Sequence, residues 1–280
     1  MMNASAGTEP GLPAAATTGV DLAATSPVYT SSRASLIWTL VRTDFKVRYH
    51  GTVGGFVWAL LKPLTMFVLL MGVFSFLFAS ERNYKLNLII GLFLWDFFAE
   101  GTKAGLASLH ARGFLLTKTR CPAWILIVTS MSNAAITLAV FTVIMLGFLA
   151  VAGHAASIAA MLLFLAYALA LALIVIGFSL AASALFLRYR DLNQVWDMAV
   201  QAGFFVAPII YPIGIIPERY HIYLYLWPPT PVIEFARAVL VEGVVPSARA
   251  HMFLAAAVAI CLAVGVMLYR RLAPRAAEYL

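Results

Sequence analysis

The 280-residue chain is 63% hydrophobic and only 11% charged, with a mean hydropathy of +0.92. A soluble domain is about 45–50% apolar and about 25% charged, so a wetted single-core enzyme is excluded, and so is disorder beyond short segments. The net charge of +7, from 19 Lys and Arg against 12 Asp and Glu, fits the basic bias of the cytoplasmic loops of a helical membrane protein, and no nucleic-acid partner is expected.

Residues 1–32 are rich in Ala, Thr, Ser, Gly and Pro, and carry only Glu9 and Asp21 as charges. They lack the basic and apolar regions of a signal peptide and read as a disordered cytoplasmic tail; residues 33–280 read as one transmembrane domain. In 35–50, Ile37, Leu40, Val41 and Phe45 recur at helical spacing, with Ser35, Thr39, Arg42, Thr43, Lys46 and His50 on the other face. This stretch is too charged to span and predicts an amphipathic helix in the membrane interface. Gly51, Gly54 and Gly55 then permit a sharp turn.

Six apolar segments follow, at 56–79, 86–107, 122–151, 158–187, 195–216 and 252–269. The fold class is therefore all-α and polytopic, with six transmembrane helices. With the N-terminus inside, 14 of the 19 Lys and Arg fall on the inner side and 5 on the outer, which places both termini in the cytoplasm. After the fifth segment the chain stays apolar but is broken by Pro208, Pro212, Pro217, Pro228, Pro229 and Pro231. Broken backbone at membrane depth is tolerated only against protein or a water-filled cavity. Re-entrant pieces are expected on the outer side, the last a short helix capped by Thr230-Pro231 and ending near Gly243.

Several motifs taken in order resemble the membrane subunits of type-2 ABC exporters, closest to the permeases that export O-antigen, teichoic acid and capsule. They are RTDFKVRY at 42–49, TVGG at 52–55 and WALLKPL at 58–64; GLFLWDFF at 91–98, GFLL at 113–116 and CP at 121–122; RYRDL at 188–192; APIIYP at 207–212, TP at 230–231 and EFAR at 234–237; and AEYL at 277–280. Gly54 stands where Leu is common, and Trp227-Pro228 where Asn-Pro is common. The resemblance implies a homodimer of this chain with two copies of an ATP-binding subunit, about twelve spans, and a lipid-linked polysaccharide as substrate in the bacterial inner membrane. No GxxxxGK[ST] phosphate loop occurs in the chain, so ATP and Mg belong to the partner, and no cofactor or metal is expected here. Cys121 and Cys261 lie far apart and suggest neither a disulfide nor a metal site.

Three groups of candidate residues follow. Arg42, Lys46, Arg48 and Tyr49 lie where anionic headgroups lie and form a candidate substrate entrance; Arg grips phosphate in a bidentate manner. Asp96, Glu100 and Lys103 sit at i, i+4 and i+7 on one face of the second segment. They read as a polar stripe facing a conduit, or as an internal ion pair near the inner interface. Trp58, Phe204, Phe205 and Tyr211 are candidates for a conduit or outer gate, although Trp and Tyr also mark any membrane interface. Arg112, Lys118 and Arg120, with Arg188, Arg190 and Asp191, are candidates for contact with the ATPase, or simply positive-inside charge. Paired carboxylates facing an aqueous site, a hydrolase triad and a zinc motif are not found in the sequence, so the chain is not expected to be an enzyme. A small hydrophobic compound as substrate, or a scaffold without transport, are the alternative readings.

Overall fold

The computed structural model describes residues 33–51, 54–113, 122–154 and 156–276. The predicted tail, Thr52-Val53, the 114–121 stretch with Lys118, Arg120 and Cys121, and the AEYL end lie outside the described residues.

Among those described there is no strand. The helices are α1 (Arg33–Tyr49), α2 (Val57–Leu77), α3 (Tyr84–Ala111), α4 (Ala123–Ser130), α5 (Ser132–Val151), α6 (Ile158–Arg188), α7 (Leu192–Val206), α8 (His221–Tyr225), α9 (Pro229–Arg237) and α10 (Ala248–Ala276). Four stretches are long and apolar enough to cross a membrane: α2, α4 with α5, α6, and Ala248–Leu272 of α10. The break between α4 and α5 falls at Met131, after Thr129 and Ser130, whose hydroxyls donate to the carbonyls of Ile125 and Ile127. Such back-bonding bends helices.

The other two expected spans differ from these for separate reasons. α3 has 28 residues, about 42 Å at 1.5 Å per residue, but carries Asp96, Glu100 and Lys103. It is the central helix, with α2, α4, α5, α6, α7 and α9 packed around it. That position follows from its charges, which are costly against lipid. The expected fifth span, 195–216, is not one helix. α7 stops at Val206 after 15 residues, about 22 Å, short of the roughly 30 Å hydrocarbon core. Pro208 and Pro212 cannot continue it. Two 3-10 turns, Ile213–Ile215 and Glu218–Tyr220, and the short α8 and α9 follow. α9 begins at Pro229, two residues earlier than expected. Thr230 is therefore not its cap but lies inside the first turn, where its buried hydroxyl has no hydrogen-bond partner among the described residues. A π-helical turn, Ala238–Glu242, then ends at Gly243 as expected.

Helix contacts are set by small residues. A methyl group on Gly177 of α6 would lie 2.7 Å from the Cys261 carbonyl oxygen of α10, and one on Gly265 would lie 2.1 Å from the Gly177 oxygen. Between α3 and α6, a Cβ at Gly105 would overlap Ser179. Close backbone approach through small residues is the usual packing device where apolar burial gives no net drive between helices.

In α1, Ile37, Leu40, Val41 and Phe45 are half-buried, while Ser35, Thr39, Arg42, Thr43, Lys46 and His50 are exposed. The outward side is not wholly polar, since Trp38 and Val47 are exposed on it. The helix packs on α4 and α5. Gly51 (φ +82°) and Gly55 (φ +47°) turn the chain into α2, using a region that other residues rarely adopt.

Candidate functional site

A cleft of about 540 Å³ opens between α2, α3 and α7. Its walls are apolar, with Met66, Leu69 and Leu92 among them, and one end is polar, with Lys62, Asp96, Glu100 and Lys103. Trp95, Phe204 and Phe205 also line it. The structure thus brings together Asp96, Glu100, Phe204 and Phe205 of the predicted conduit set. Two predicted members do not join them. Trp58 is 63% exposed near the start of α2, with its ring against Gly54, where a Cβ would meet it at 2.2 Å. Tyr211 lines a separate cavity of about 240 Å³ near the opposite end of α3.

The charged stripe is paired across helices rather than along its own. Glu100 accepts from Arg48 of α1 (3.3 Å) and from Lys62 of α2 (3.1 Å), while Lys103 pairs with Asp197 of α7 at 2.8 Å. Glu100 is ion-paired and lines the cleft, whereas Asp96 lines the cleft without an ion pair among the described residues.

Beside the cleft lies a cluster of large rings. Trp95 is 7% exposed and lies 5.8 Å from the Phe204 ring and 6.4 Å from Trp227. Trp196 lies 6.4 Å from Trp227 and 4.0 Å from Phe178, and its Nε1 donates to Thr102 Oγ1 at 3.0 Å. Gly203 makes room for this cluster, since a Cβ there would meet Trp227 at 2.3 Å. Trp95 and Trp227 pack inside the bundle.

At the far end from α1, the unwound stretch after α7 has its carbonyls satisfied one by one. The Tyr211 hydroxyl donates to Val206 O at 2.9 Å, with Phe205 O at 3.2 Å. Ile209 N donates to Ala207 O at 2.7 Å. Arg237 donates from Nη1 to Pro208 O (2.5 Å) and from Nη2 to Ile209 O (3.1 Å). The Tyr84 hydroxyl takes Ile210 O at 2.8 Å. Arg237 also donates from Nε to Asn87 O (2.9 Å) and pairs with Glu234 at 2.7 Å. It is 5% exposed. Non-helical backbone packed in a membrane protein needs this satisfaction from neighbouring groups.

At the α1 end, Arg112 pairs with Asp44 and donates to Thr129 Oγ1 (2.9 Å) and Leu126 O (3.3 Å). Its side chain therefore points into the fold, toward α1 and α4. Burial pushes the Asp44 carboxyl up, and Arg112 pulls the other way. Arg188, Arg190 and Asp191 form the exposed α6–α7 turn, with the Arg188 guanidinium 5.3 Å from the Tyr189 ring centre. The His110 ring, 5.6 Å from Phe186, brings the ends of α3 and α6 together there. Arg42 and Lys46 are exposed, whereas Arg48 and half-buried Tyr49 face a small cavity behind α1.

Sequence reasoning gave no partners to Lys62, Asp197 and Arg237. An isolated cation or acid in an apolar run was the available signal, but its partners lie 38 and 94 residues away for Lys62 and Asp197 and cannot be read from local spacing.

Long apolar helices packed around one charged helix, with a cleft between three of them, define an integral membrane protein. Residues 35–241 match the ABC-2 type transporter family, and the chain belongs to it. The O-antigen export system permease protein RfbA of Klebsiella pneumoniae is 26% identical over 210 residues, 75% of this chain and 81% of that protein. RfbA of Myxococcus xanthus is 26% identical over 234 residues, 79% and 86% of the two chains. The polysialic acid transport protein KpsM of Escherichia coli is 24% identical over 235 residues, 81% and 89%.

Proposed function

We propose that the chain is the permease of an ABC exporter that moves a lipid-linked, O-antigen-like polysaccharide from the cytoplasmic to the outer face of a bacterial inner membrane. The observation that carries this reading is the α2–α3–α7 cleft, which combines Trp95, Phe204 and Phe205 with a charged end. Sugar rings stack on aromatic faces, and such apolar contacts permit sliding. Relatives named for O-antigen and polysialic acid export support it.

In this reading α3 and α7, the latter with the short pieces after it, complete six spans, and both termini are cytoplasmic. Two copies join so that their clefts face one path; α2 and α7 expose Leu69, Val73, Met198 and Phe205 for that contact. α1 lies at the headgroup level, with Arg42, Lys46, Arg48 and Tyr49 at the substrate entrance. The pieces between Pro208 and Gly243 re-enter from the outer side and narrow the exit near Tyr211. Two copies of a separate ATPase, holding ATP and Mg, act on the 112–121 stretch and on the Arg188–Asp191 turn. Arg112, paired to Asp44, passes their motion to α1.

The apolar walls of the cleft also suit a small hydrophobic compound, which is the alternative cargo. Depletion of the protein in its source cell separates the two. Accumulation of a lipid-linked glycan on the cytoplasmic side is the expected result. Normal surface glycan, with a small hydrophobic compound retained instead, would sink the proposal.

A further inference from the structure

A cavity of about 700 Å³, larger than the cleft, opens where the C-terminal ends of α2 and α5 meet the turn between α2 and α3. Sites for small molecules span about 300–1,000 Å³. Part of the lining is apolar, with Phe78 of the turn and Phe148 and Ala152 at the end of α5. The rest is polar, with Glu81, Arg82 and Lys85. All three of these charged side chains are exposed, and none makes an ion pair among the described residues. Phe76, Leu77 and Val151 beside the cavity are exposed as well, so apolar surface continues from it down the ends of α2 and α5.

We propose that this cavity seats an anionic glycerophospholipid of the outer leaflet, with its phosphodiester on Arg82 and Lys85 and the upper part of its chains on the apolar lining. Its outer-leaflet placement rests on the orientation in the export reading above. The site is separate from the path of the cargo, because α5 bounds it and α7 bounds the cleft. Arg82 and Lys85 are two of only five basic residues on the outer side in that orientation. Cations there run against the positive-inside bias, and two of them on one cavity suit an anion. The planar fork of Arg matches two phosphate oxygens, and Lys adds a point charge. Glu81 lines the same space, so two cations against one carboxylate leave a single positive charge. A phosphodiester carries one negative charge and matches it, whereas a diphosphate carries more and Glu81 opposes the excess. The exposed apolar side chains below let the acyl chains run on into the bilayer. Tyr84 also lines the cavity, and its hydroxyl takes Ile210 O. The seated lipid therefore packs against the residue that fastens the unwound backbone to α3.

The test is native mass spectrometry of the permease with its ATPase, titrated in detergent with dioleoyl phosphatidylglycerol and, separately, with dioleoyl phosphatidylcholine. The wild type is expected to hold phosphatidylglycerol more tightly than phosphatidylcholine. Arg82→Gln combined with Lys85→Gln is expected to weaken one phosphatidylglycerol site per permease chain about tenfold, and it alters exposed, unpaired side chains that assembly does not need. Arg42→Gln combined with Lys46→Gln on α1 is expected to leave that site intact. Glu81→Gln removes the opposing charge and is expected to tighten the site about threefold, a gain that misfolding cannot mimic. Unchanged binding in the Arg82 and Lys85 double variant or in Glu81→Gln overturns the proposal, as does equal binding of the two lipids by the wild type. Displacement of the bound lipid by glycerol phosphate overturns the lipid assignment in favour of a free anion, and tighter binding of farnesyl diphosphate overturns it in favour of the cargo headgroup. An Arg82→Cys probe labelled only from the cytoplasm overturns the outer-leaflet placement. Export by the wild type reports separately on the underlying reading. A wild type that exports lipid-linked glycan while the double variant keeps its phosphatidylglycerol refutes the lipid seat alone.

Discussion

Gly91 and Arg237 share one space. A Cβ on Gly91 would lie 2.6 Å from Arg237 Nη2, so the guanidinium reaches the Asn87 carbonyl and the unwound 208–209 backbone only because α3 has no side chain there. Gly91→Ala is expected to cost about 1–3 kcal/mol through overpacking. Arg237→Ala leaves the Pro208 and Ile209 carbonyls unpaired, at about 1–3 kcal/mol for each buried group, and is expected to cost more. Thermal unfolding of the purified protein in detergent checks the order. A Gly91→Ala variant as stable as wild type contradicts the shared-space account.

Tyr211 closes the end of α7 on itself. Tyr211→Phe keeps the ring, removes the donor to Val206 O, and is expected to cost about 1 kcal/mol. In the proposed topology a Tyr211→Cys probe is labelled by a membrane-impermeant reagent from outside the cell. Labelling only from the cytoplasmic side of resting transporter would contradict the outer placement.

The α6–α10 crossing depends on backbone contact at Gly177 and Gly265. Gly177→Leu pushes a side chain into the Cys261 backbone, which does not yield as a flexible side chain does. Loss of the folded peak in size-exclusion chromatography is expected, whereas Gly72→Leu, whose Cβ meets nothing within 4 Å, is expected to be tolerated. Equal behaviour of the two variants would refute the packing argument.

Asp44 and Arg112 form a partly buried pair. Removing one partner leaves the other charge unpaired, which costs about 3–5 kcal/mol at full burial and less at this depth. Asp44→Asn and Arg112→Gln should each destabilise, and the double variant little more than either. Additive losses in that double-mutant cycle would show that the two charges do not depend on each other.

Sequence patterning gave the helical class, because it depends on local periodicity; in α1 Ile37, Leu40, Val41 and Phe45 are half-buried, but Trp38 and Val47 are exposed among the polar residues, so the outward side is mixed. Patterning also gave the break after α7, because Pro208 and Pro212 act where they stand. It extended that fifth segment to residue 216, since apolar composition alone does not tell a helix from compact broken backbone. The spacing of Asp96, Glu100 and Lys103 put them on one face of α3, where they line the cleft. It could not supply Arg48, Lys62 and Asp197, which arrive from three other helices. Only the fold brings Trp227 against Gly203 and Trp95. Lys118 and Arg120 fall outside the described residues, and Arg112 turns away from solvent toward Asp44.

The headgroup-level reading of α1 is tested by Arg42→Ala combined with Arg48→Ala. If these arginines gather an anionic substrate, export is lost while assembly with the ATPase and basal ATP hydrolysis persist. Normal export by a correctly assembled double variant would refute the entrance role.

The central claim is that this permease carries a lipid-linked polysaccharide across the bilayer, and reconstitution tests it most directly. The permease and its ATPase are placed in proteoliposomes with the lipid-linked glycan of the source cell confined to the inner leaflet by prior treatment with an external glycosidase. With the ATP-binding subunits facing the loaded interior, added internal ATP is expected to restore glycan that the external glycosidase can reach, in proportion to ATP hydrolysed. Steady ATP hydrolysis with no glycan reaching the outside, or with a small hydrophobic compound exported in its place, would contradict the account.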